Sequence, residues 1–168
     1  MAYVIFDLDG TVIDSSHRQN TLPDGSLDLA HWIEHNQPAM IANDSLLPLA
    51  RIMRILKASG ATIIVCTARA YQQADEAFLA KHGLAYDAYL SRGANIVNAD
   101  GSVTVGDSRA DAQLKVDLLG DYFAKQGFNS IADARAIMFD DNLKVIDAMI
   151  KQGITCYNAI EANKRLAA

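Results

Sequence analysis

The sequence predicts an α/β fold: a Rossmann-like parallel sheet with helices on both of its faces. Segments with helical spacing of apolar residues separate short apolar runs, and a glycine follows each of four such segments. Alternation of strand and helix along a chain is typical of a parallel sheet that is covered on both sides. The five runs with the length of buried strands are 3–6, 62–66, 88–90, 136–139 and 154–157.

Four helices are expected between these strands. In the first of them, apolar residues recur every three or four positions, Pro48 suits the first turn, and Asp44 and Ser45 precede it as candidate caps. The glycines that follow are expected to end each helix. The four segments are 46–56, 73–82, 111–125 and 143–152.

The length of 168 residues fits one domain of ordinary size, so we expect a single domain over 1–168. Two small insertions, at about 12–43 and 91–107, fall outside the alternation and predict only a minimal cap. The first holds a polar loop with His17 and Arg18, which either border the site or are ordinary loop residues. The second contains two alternating runs around an Asp-Gly pair, which predicts a hairpin.

Composition excludes several classes of protein. The net charge is −5, and without a run of Lys or Arg an extended grip on a nucleic-acid backbone is not expected. A substrate with a single phosphate remains compatible with this charge. The start of the chain lacks the pattern of a signal peptide, and no apolar run approaches a membrane span. We therefore expect a cytoplasmic protein without membrane contact, in which Cys66 and Cys156 serve core packing.

Two carboxylates follow the first strand in the segment YVIFDLDGTVID. Asp7 and Asp9 are two residues apart, so an extended chain would direct both toward one ligand. The carboxyl end of a buried parallel strand is where open α/β sheets bind ligands. The alternative is a strand followed by a simple Asp-Gly turn, which explains one acid more easily than two.

This segment resembles the first motif of the haloacid dehalogenase superfamily, a hydrophobic strand followed by DxDGT. The resemblance implies that Asp7 is a nucleophile, that Asp9 is a general acid and base, and that Mg²⁺ binds the Asp7 side chain and the Asp9 carbonyl. A carboxylate that attacks an anionic phosphoryl group needs such a cation to screen the repulsion.

The same resemblance assigns roles after the second and fourth strands. Thr67 would hydrogen-bond the transferring phosphoryl group, although a threonine after a strand also serves as a helix cap. Arg69 either binds substrate phosphate or is a surface arginine. Asp140 would be the third metal ligand, and Asp141 would bind the metal or a metal-bound water. The alternative for this acidic pair is helix capping.

A cation that neutralises the nucleophile is also implied, and Lys115 is the candidate, with Lys125 and Lys144 as competitors. The segment GDSRADAQLK resembles the 3′-phosphatase domain of bacteriophage polynucleotide kinase, which favours Lys115. The same resemblance makes Arg92 and Arg109 candidate contacts for phosphate or substrate. No G-x-x-x-x-G-K-[ST] loop is present, so no ATP-binding kinase module is expected.

These observations predict a Mg²⁺-dependent phosphomonoesterase that works through an aspartyl-phosphate. The first-choice substrate is a nucleotide or polynucleotide 3′-phosphate, and the partner is then a phosphorylated nucleotide or oligonucleotide end. One alternative is a 5′-nucleotidase or general small-metabolite phosphatase of the same superfamily. Another, of a different class, is a non-catalytic phosphate-binding regulatory protein.

Overall fold

A computed structural model describes residues 2–100 and 102–168. Among them, the strands are β1 (Tyr3–Phe6), β2 (Ile13–Asp14), β3 (Ser45–Leu46), β4 (Thr62–Ala70), β5 (Ala88–Arg92), β6 (Ile96–Val97), β7 (Val103–Thr104), β8 (Ile137–Asp140) and β9 (Thr155–Asn158). The α-helices are α1 (Leu29–His35), α2 (Pro38–Ile41), α3 (Leu49–Ala58), α4 (Gln73–Lys81), α5 (Asp111–Lys125), α6 (Leu143–Lys151) and α7 (Ala159–Ala167).

The core is a five-stranded sheet in the order β5-β4-β1-β8-β9, and all neighbouring strands run parallel. Phe6, the last residue of β1, is level with Val65 of β4 and Phe139 of β8. The residues that follow these three positions therefore meet at one edge of the sheet. This register is what brings the predicted site residues together.

Side chains of β1 alternate between two buried clusters, one on each face of the sheet. Val4 and Phe6 pack with α3, α4 and α7, whereas Ile5 packs with α5 and α6. Burial of both faces explains why the strands are almost wholly apolar.

The predicted fold class is confirmed, and all five predicted strands form the sheet within one or two residues at most ends. Only β4 is much longer than expected, because it continues to Ala70.

Two expectations about the helices were wrong or incomplete. Asp44 and Ser45 do not cap α3, because Ser45 lies in β3 and Pro48 holds the cap position. Helix α7 was not predicted at all. Asn158 caps α7 by accepting hydrogen bonds from two backbone N–H groups, and this asparagine before an alanine-rich segment was a usable signal.

The first insertion contains β2, a 3-10 turn, α1 and α2, and β2 pairs with β3, which follows the insertion directly. The second contains the predicted hairpin, in which β6 and β7 pair antiparallel. Gly101 of the expected turn lies outside the described residues.

Cys66 is buried and both cysteines are free thiols, as expected for core packing. Within the described part of the chain, the helices are too short or too polar to cross a bilayer.

Candidate active site

A cavity of about 740 Å³ opens at the carboxyl edge of the sheet. Its walls include Leu29, Trp32 and Ile33 of α1 and Val105 beside the hairpin, so both insertions border it. All nine site residues named from the sequence also line it: Asp7, Asp9, Thr67, Arg69, Arg92, Arg109, Lys115, Asp140 and Asp141. The predicted residues thus lie in one place, although they play different structural parts there.

Lys115 lies between two buried carboxylates. Its Nζ donates to Asp7 Oδ1 and to Asp140 Oδ2, both at 2.7 Å, and its side chain is only 3% exposed. Lys115 lies on the buried side of α5, whereas the competing Lys125 and Lys144 are exposed to solvent. Asp140 Oδ1 accepts the backbone N–H of Asn142 at 2.9 Å, so both of its oxygens are held in place.

The ionisation of these groups reflects burial and mutual charge. Burial raises the pKa of Asp7 to about 8, with Lys115 opposing the shift and Asp140 adding to it. Burial also raises the pKa of Asp141 to about 6, and the charge of Asp140 contributes. Burial by itself would lower the pKa of Lys115, but Asp7 and Asp140 raise it above its ordinary value. The lysine therefore stays charged among these acids.

The carboxylates of Asp7, Asp140 and Asp141 each offer an oxygen, and these oxygens lie within 4.8 Å of one another. When all three groups are ionised, they outnumber the one ammonium of Lys115 and leave an excess of negative charge. Hard oxygen donors in such a group are the ligands that Mg²⁺ prefers. These three side chains could therefore hold a divalent cation, and the donor set fits the implied Mg²⁺.

Gly10 allows Asp141 to approach this cluster. Its φ of +67° lies in the left-handed region, and a Cβ at this position would be 2.5 Å from Asp141 Oδ2. Glycine is thus needed at this position of the DxDGT segment for two reasons: the positive φ, and the close approach of the Asp141 carboxylate.

The carboxylate of Asp9 lies outside the acidic cluster and is bound by Arg69. Arg69 Nε donates to Oδ2 at 2.7 Å, Nη2 donates to Oδ1 at 2.6 Å, and the hydroxyl of Ser15 also donates to Oδ1. Burial alone would raise the pKa of Asp9, but Arg69 outweighs it and holds the pKa below its ordinary value. The side chain of Asp9 keeps 24% exposure and faces the cavity.

Arg69 is not the surface arginine that one alternative expected, because its side chain is 1% exposed. Its guanidinium donates to Asp9, Asp44 and Asp75. Hydrogen bonds to these three carboxylates involve its Nε, Nη1 and Nη2, and a role in binding substrate phosphate stays a prediction. In the structure Arg69 is a partner of Asp9.

The capping alternatives for Thr67 and the acidic pair are wrong. Thr67 lies inside β4 and is buried, and α4 starts only at Gln73. Helix α6 is capped by Asn142, whose side chain accepts from the N–H of Lys144, so neither preceding acid caps it.

The other two predicted arginines differ in exposure. Arg92 donates to the carbonyls of Ala68, Asp107 and Arg109 and to the carboxylate of Asp111, so it fixes the loop before α5. Arg109 pairs with the carboxylates of Asp107 and Asp117, yet its side chain is 43% exposed at the cavity wall. Of the three arginines, Arg109 is the most accessible to a ligand.

Sequence reasoning missed several residues of this region. Asp44 was expected only as a cap and Asp75 was not singled out, yet both are buried and bind Arg69. Arg18 was left open between the site and the loop, and it is fully buried. No local signal identified them, because an arginine or aspartate in a polar loop or helix says nothing about its burial until its partner is known.

Comparison with known proteins gives a family match over the whole chain. A family described as bacteriophage T5 5′-deoxynucleotidase matches residues 1–168. The 5′-deoxynucleotidase of Escherichia phage T5 is 41% identical over 85 residues, which cover 48% of this chain and 35% of that protein. This chain thus matches about a third of the length of that relative.

Solved structures give the same fold. A chain of the Pnkp1/Rnl/Hen1 RNA repair complex has a TM-score of 0.64 at 24% identity, covering 94% of this chain and 42% of that one. A haloacid dehalogenase-like hydrolase from Streptococcus pneumoniae has a TM-score of 0.63 at 14% identity, covering 94% and 84%. A phosphoserine phosphatase, solved as an analogue of its phospho-aspartyl intermediate, has a TM-score of 0.56 at 15% identity, covering 98% and 90%. The predicted resemblance to haloacid dehalogenase proteins is confirmed at the level of the fold.

Proposed function

This chain belongs to the bacteriophage T5 5′-deoxynucleotidase family, and we propose that it is a phosphoric monoester hydrolase acting on deoxynucleoside 5′-monophosphates. The observation that carries this proposal is the contact of Lys115 with Asp7 and Asp140, beside Asp141, at the edge of a cavity. A nucleophilic carboxylate next to fixed positive charge is what phosphoryl transfer requires.

In the proposed reaction, an oxygen of Asp7 attacks phosphorus while the bond from phosphorus to the ester oxygen breaks. Lys115 holds Asp7 Oδ1 and so leaves Oδ2 to attack. Asp9 gives a proton to the departing nucleoside oxygen. Water then attacks the aspartyl-phosphate, Asp9 takes a proton from that water, and the bond from phosphorus to Asp7 breaks to release phosphate.

The environment of Asp9 favours the second of these proton transfers. Arg69 lowers the pKa of Asp9, so its resting form is a carboxylate that can accept a proton from water, whereas the first transfer requires its less populated protonated form. Mg²⁺ held by Asp7, Asp140 and Asp141 would supply charge neutralisation for the phosphoryl oxygens. The hydroxyl of Thr67 is proposed to donate a hydrogen bond to the same oxygens. Thr67 lines the cavity, as Asp7 does.

The cavity supports a free nucleotide as substrate. About 740 Å³ is within the usual range for a small-molecule site. The apolar side chains of Leu29, Ile33 and Val105 are among its lining, and a base could pack against them. A net charge of −5 disfavours a grip on a long strand.

The comparisons therefore favour the 5′-nucleotidase that sequence analysis left as an alternative over its first choice. A 3′-phosphatase remains the second candidate, supported by the accessible guanidinium of Arg109 at the cavity wall. Under that hypothesis Arg109 contacts the nucleotide next to a terminal phosphate.

A substrate panel tests these proposals. Deoxynucleoside 5′-monophosphates, the corresponding 3′-monophosphates, a 3′-phosphate-ended oligonucleotide and p-nitrophenyl phosphate are compared by kcat/KM with Mg²⁺ and with chelator. We expect the 5′-monophosphates to be preferred and chelator to abolish turnover. A preference for 3′-phosphate ends that Arg109→Ala removes would select the second candidate instead.

Two variants serve as controls for the chemistry. Asp7→Asn should abolish turnover, whereas Asp87→Asn should not, because Asp87 pairs with Lys57 and is not part of the cavity. Wild-type turnover in a folded Asp7→Asn protein would reject the covalent mechanism. Binding of nucleotide without any turnover by the wild type would select the non-catalytic alternative.

A further inference from the structure

Asp44 lies where the first insertion returns to the core, directly before β3. Its side chain is fully buried, and it accepts hydrogen bonds from arginines of two different parts of the fold. A buried carboxylate that holds two guanidinium groups calls for an explanation, because burying three charges is costly unless they are all paired.

On the insertion side, Asp44 is bound by Arg18. Arg18 Nε donates to Oδ1 at 2.8 Å and Nη2 donates to Oδ2 at 2.9 Å, which is the two-pronged geometry of a strong pair. Arg18 Nη1 donates to Asn36 Oδ1 at 2.9 Å, and the guanidinium lies over the ring of Trp32 at 4.3 Å. Trp32 and Asn36 both line the cavity, so this pair supports the cavity wall formed by α1.

On the core side, Asp44 Oδ2 accepts from Arg69 Nη2 at 3.2 Å. The same Nη2 donates to Asp9 Oδ1, and Nη1 donates to Asp75. One aspartate thus connects the wall of the cavity, through Arg18, with the carboxylate of Asp9, through Arg69.

We propose that Asp44 is a positioning residue that fixes Arg69, and through it Asp9, relative to the insertion bearing Arg18, Asn36 and Trp32. This inference rests on the proposed function, in which Asp9 transfers protons. Asp44 touches neither substrate nor reacting atoms in that reaction. Asp44 determines where the guanidinium of Arg69 lies, and that guanidinium determines where the carboxylate of Asp9 points.

Charge explains why Asp44 is needed for this geometry. With Asp44 neutral, Arg18 loses the one carboxylate that holds it in the described residues. Two buried guanidinium groups would then lie close together with only Asp9 and Asp75 to balance them. Arg18 and Arg69 would separate or compete for Asp9, and either change moves the Asp9 carboxylate.

The test uses Asp44→Asn, which keeps the shape and removes the charge, with Asp87→Asn as the matched control. Asp87 is likewise paired with a cationic side chain, that of Lys57, and accepts from the backbone N–H of Ile63, but it is partly exposed and not part of the cavity. For each protein, kcat/KM is measured for a deoxynucleoside 5′-monophosphate and for p-nitrophenyl phosphate. The constant kcat/KM reports the step in which the leaving group departs, and p-nitrophenolate departs without a proton.

Asp44→Asn should lower kcat/KM for the nucleotide roughly 10- to 100-fold, a part of the ~10²–10⁴-fold that general acid–base catalysis supplies. For the aryl phosphate the loss should stay below about threefold, because no proton is transferred to its leaving group. Asp87→Asn should leave the ratio of the two constants unchanged. An equal loss on both substrates in Asp44→Asn would mean a merely structural role and would overturn the proposal.

A measurement without turnover separates this inference from the proposed function. The Nε–H proton of Arg69, which donates to Asp9, should exchange slowly with water in the wild type and much faster in Asp44→Asn, as followed by NMR. Unchanged protection would overturn the inference even if the wild type is an active phosphatase. Failure of the wild type to hydrolyse any phosphate ester would instead reject the proposed function.

Arg18→Lys provides a second variant if Asp44→Asn does not fold. The lysine keeps a positive charge against Asp44 but cannot make both hydrogen bonds of the fork. It should shift the substrate ratio and the exchange of the Arg69 proton in the same direction, by a smaller factor. A ratio and an exchange rate equal to those of the wild type would count against the proposal.

Discussion

Replacing Gly10 by alanine should push the carboxylate of Asp141 away from those of Asp7 and Asp140 without removing any of the three. The added Cβ would lie 2.5 Å from Asp141 Oδ2 and 2.9 Å from its Cγ, whereas ordinary contact begins at 3.4 Å. The carboxylate must therefore move by about 1 Å to restore van der Waals contact. Mg²⁺ demands near-ideal geometry at about 2.0–2.1 Å, so under the proposed function a shift of this size would remove Asp141 as a ligand.

Two effects of this substitution have to be separated. The φ of +67° costs an alanine about 1–2 kcal/mol of folding free energy, wherever in the chain it occurs. The displacement of Asp141 adds a loss of metal affinity, which we expect to be about 10- to 100-fold, as for other changes that move a metal ligand.

Gly83→Ala is the matched control, because Gly83 has a φ of +64° and, its chain neighbours aside, no atom of the described residues lies within 4 Å of the place where its Cβ would be added. Both variants should lose similar stability in urea unfolding with chelator present. Only Gly10→Ala should need a higher Mg²⁺ concentration for half-maximal activity and for thermal stabilisation. Equal Mg²⁺ dependence of the two variants would refute the argument that Gly10 makes room for Asp141.

Two further predictions concern the charges of the site. Lys115→Met keeps much of the lysine stem but leaves Asp7 and Asp140 buried without their cation, so urea unfolding in chelator at pH 8 should show a loss of about 3–5 kcal/mol. A stability equal to that of the wild type would contradict the pairing. The free energy of unfolding of the metal-free wild type should fall as pH rises from about 4 to about 8, because Asp7 binds its proton more tightly folded than unfolded. The slope from this group is at most about 1.4 kcal/mol per pH unit. Asp9, with its lowered pKa, contributes a constant amount over that window, and a stability that rises across it in urea titrations with chelator would contradict the raised pKa of Asp7.

Much of the fold could be predicted because its signals are local. A strand buried on both faces is a continuous apolar run, as in residues 3–6. A helix between strands shows apolar residues every three or four positions and is followed by a glycine. The last helix was missed because its burial is modest and depends on contacts with α3. Asn163, for example, accepts from the N–H of Leu49 and donates to the carbonyl of Thr11, and neither partner is near it in sequence.

The location of the site also followed from the sequence alone. Polar residues after apolar strands must meet at one edge when the strands are parallel, so Asp7, Thr67 and Asp140 could be grouped from the strand pattern. What each arginine does there was decided by tertiary structure. A guanidinium binds a carboxylate as well as a phosphate, and nothing in the local sequence says which partner folding will supply. Arg69 meets Asp9 across 60 positions, and Arg18 meets Asp44 across 26. Partners so far apart are brought together only by long-range packing, which is why their pairing with protein carboxylates could not be predicted from the sequence.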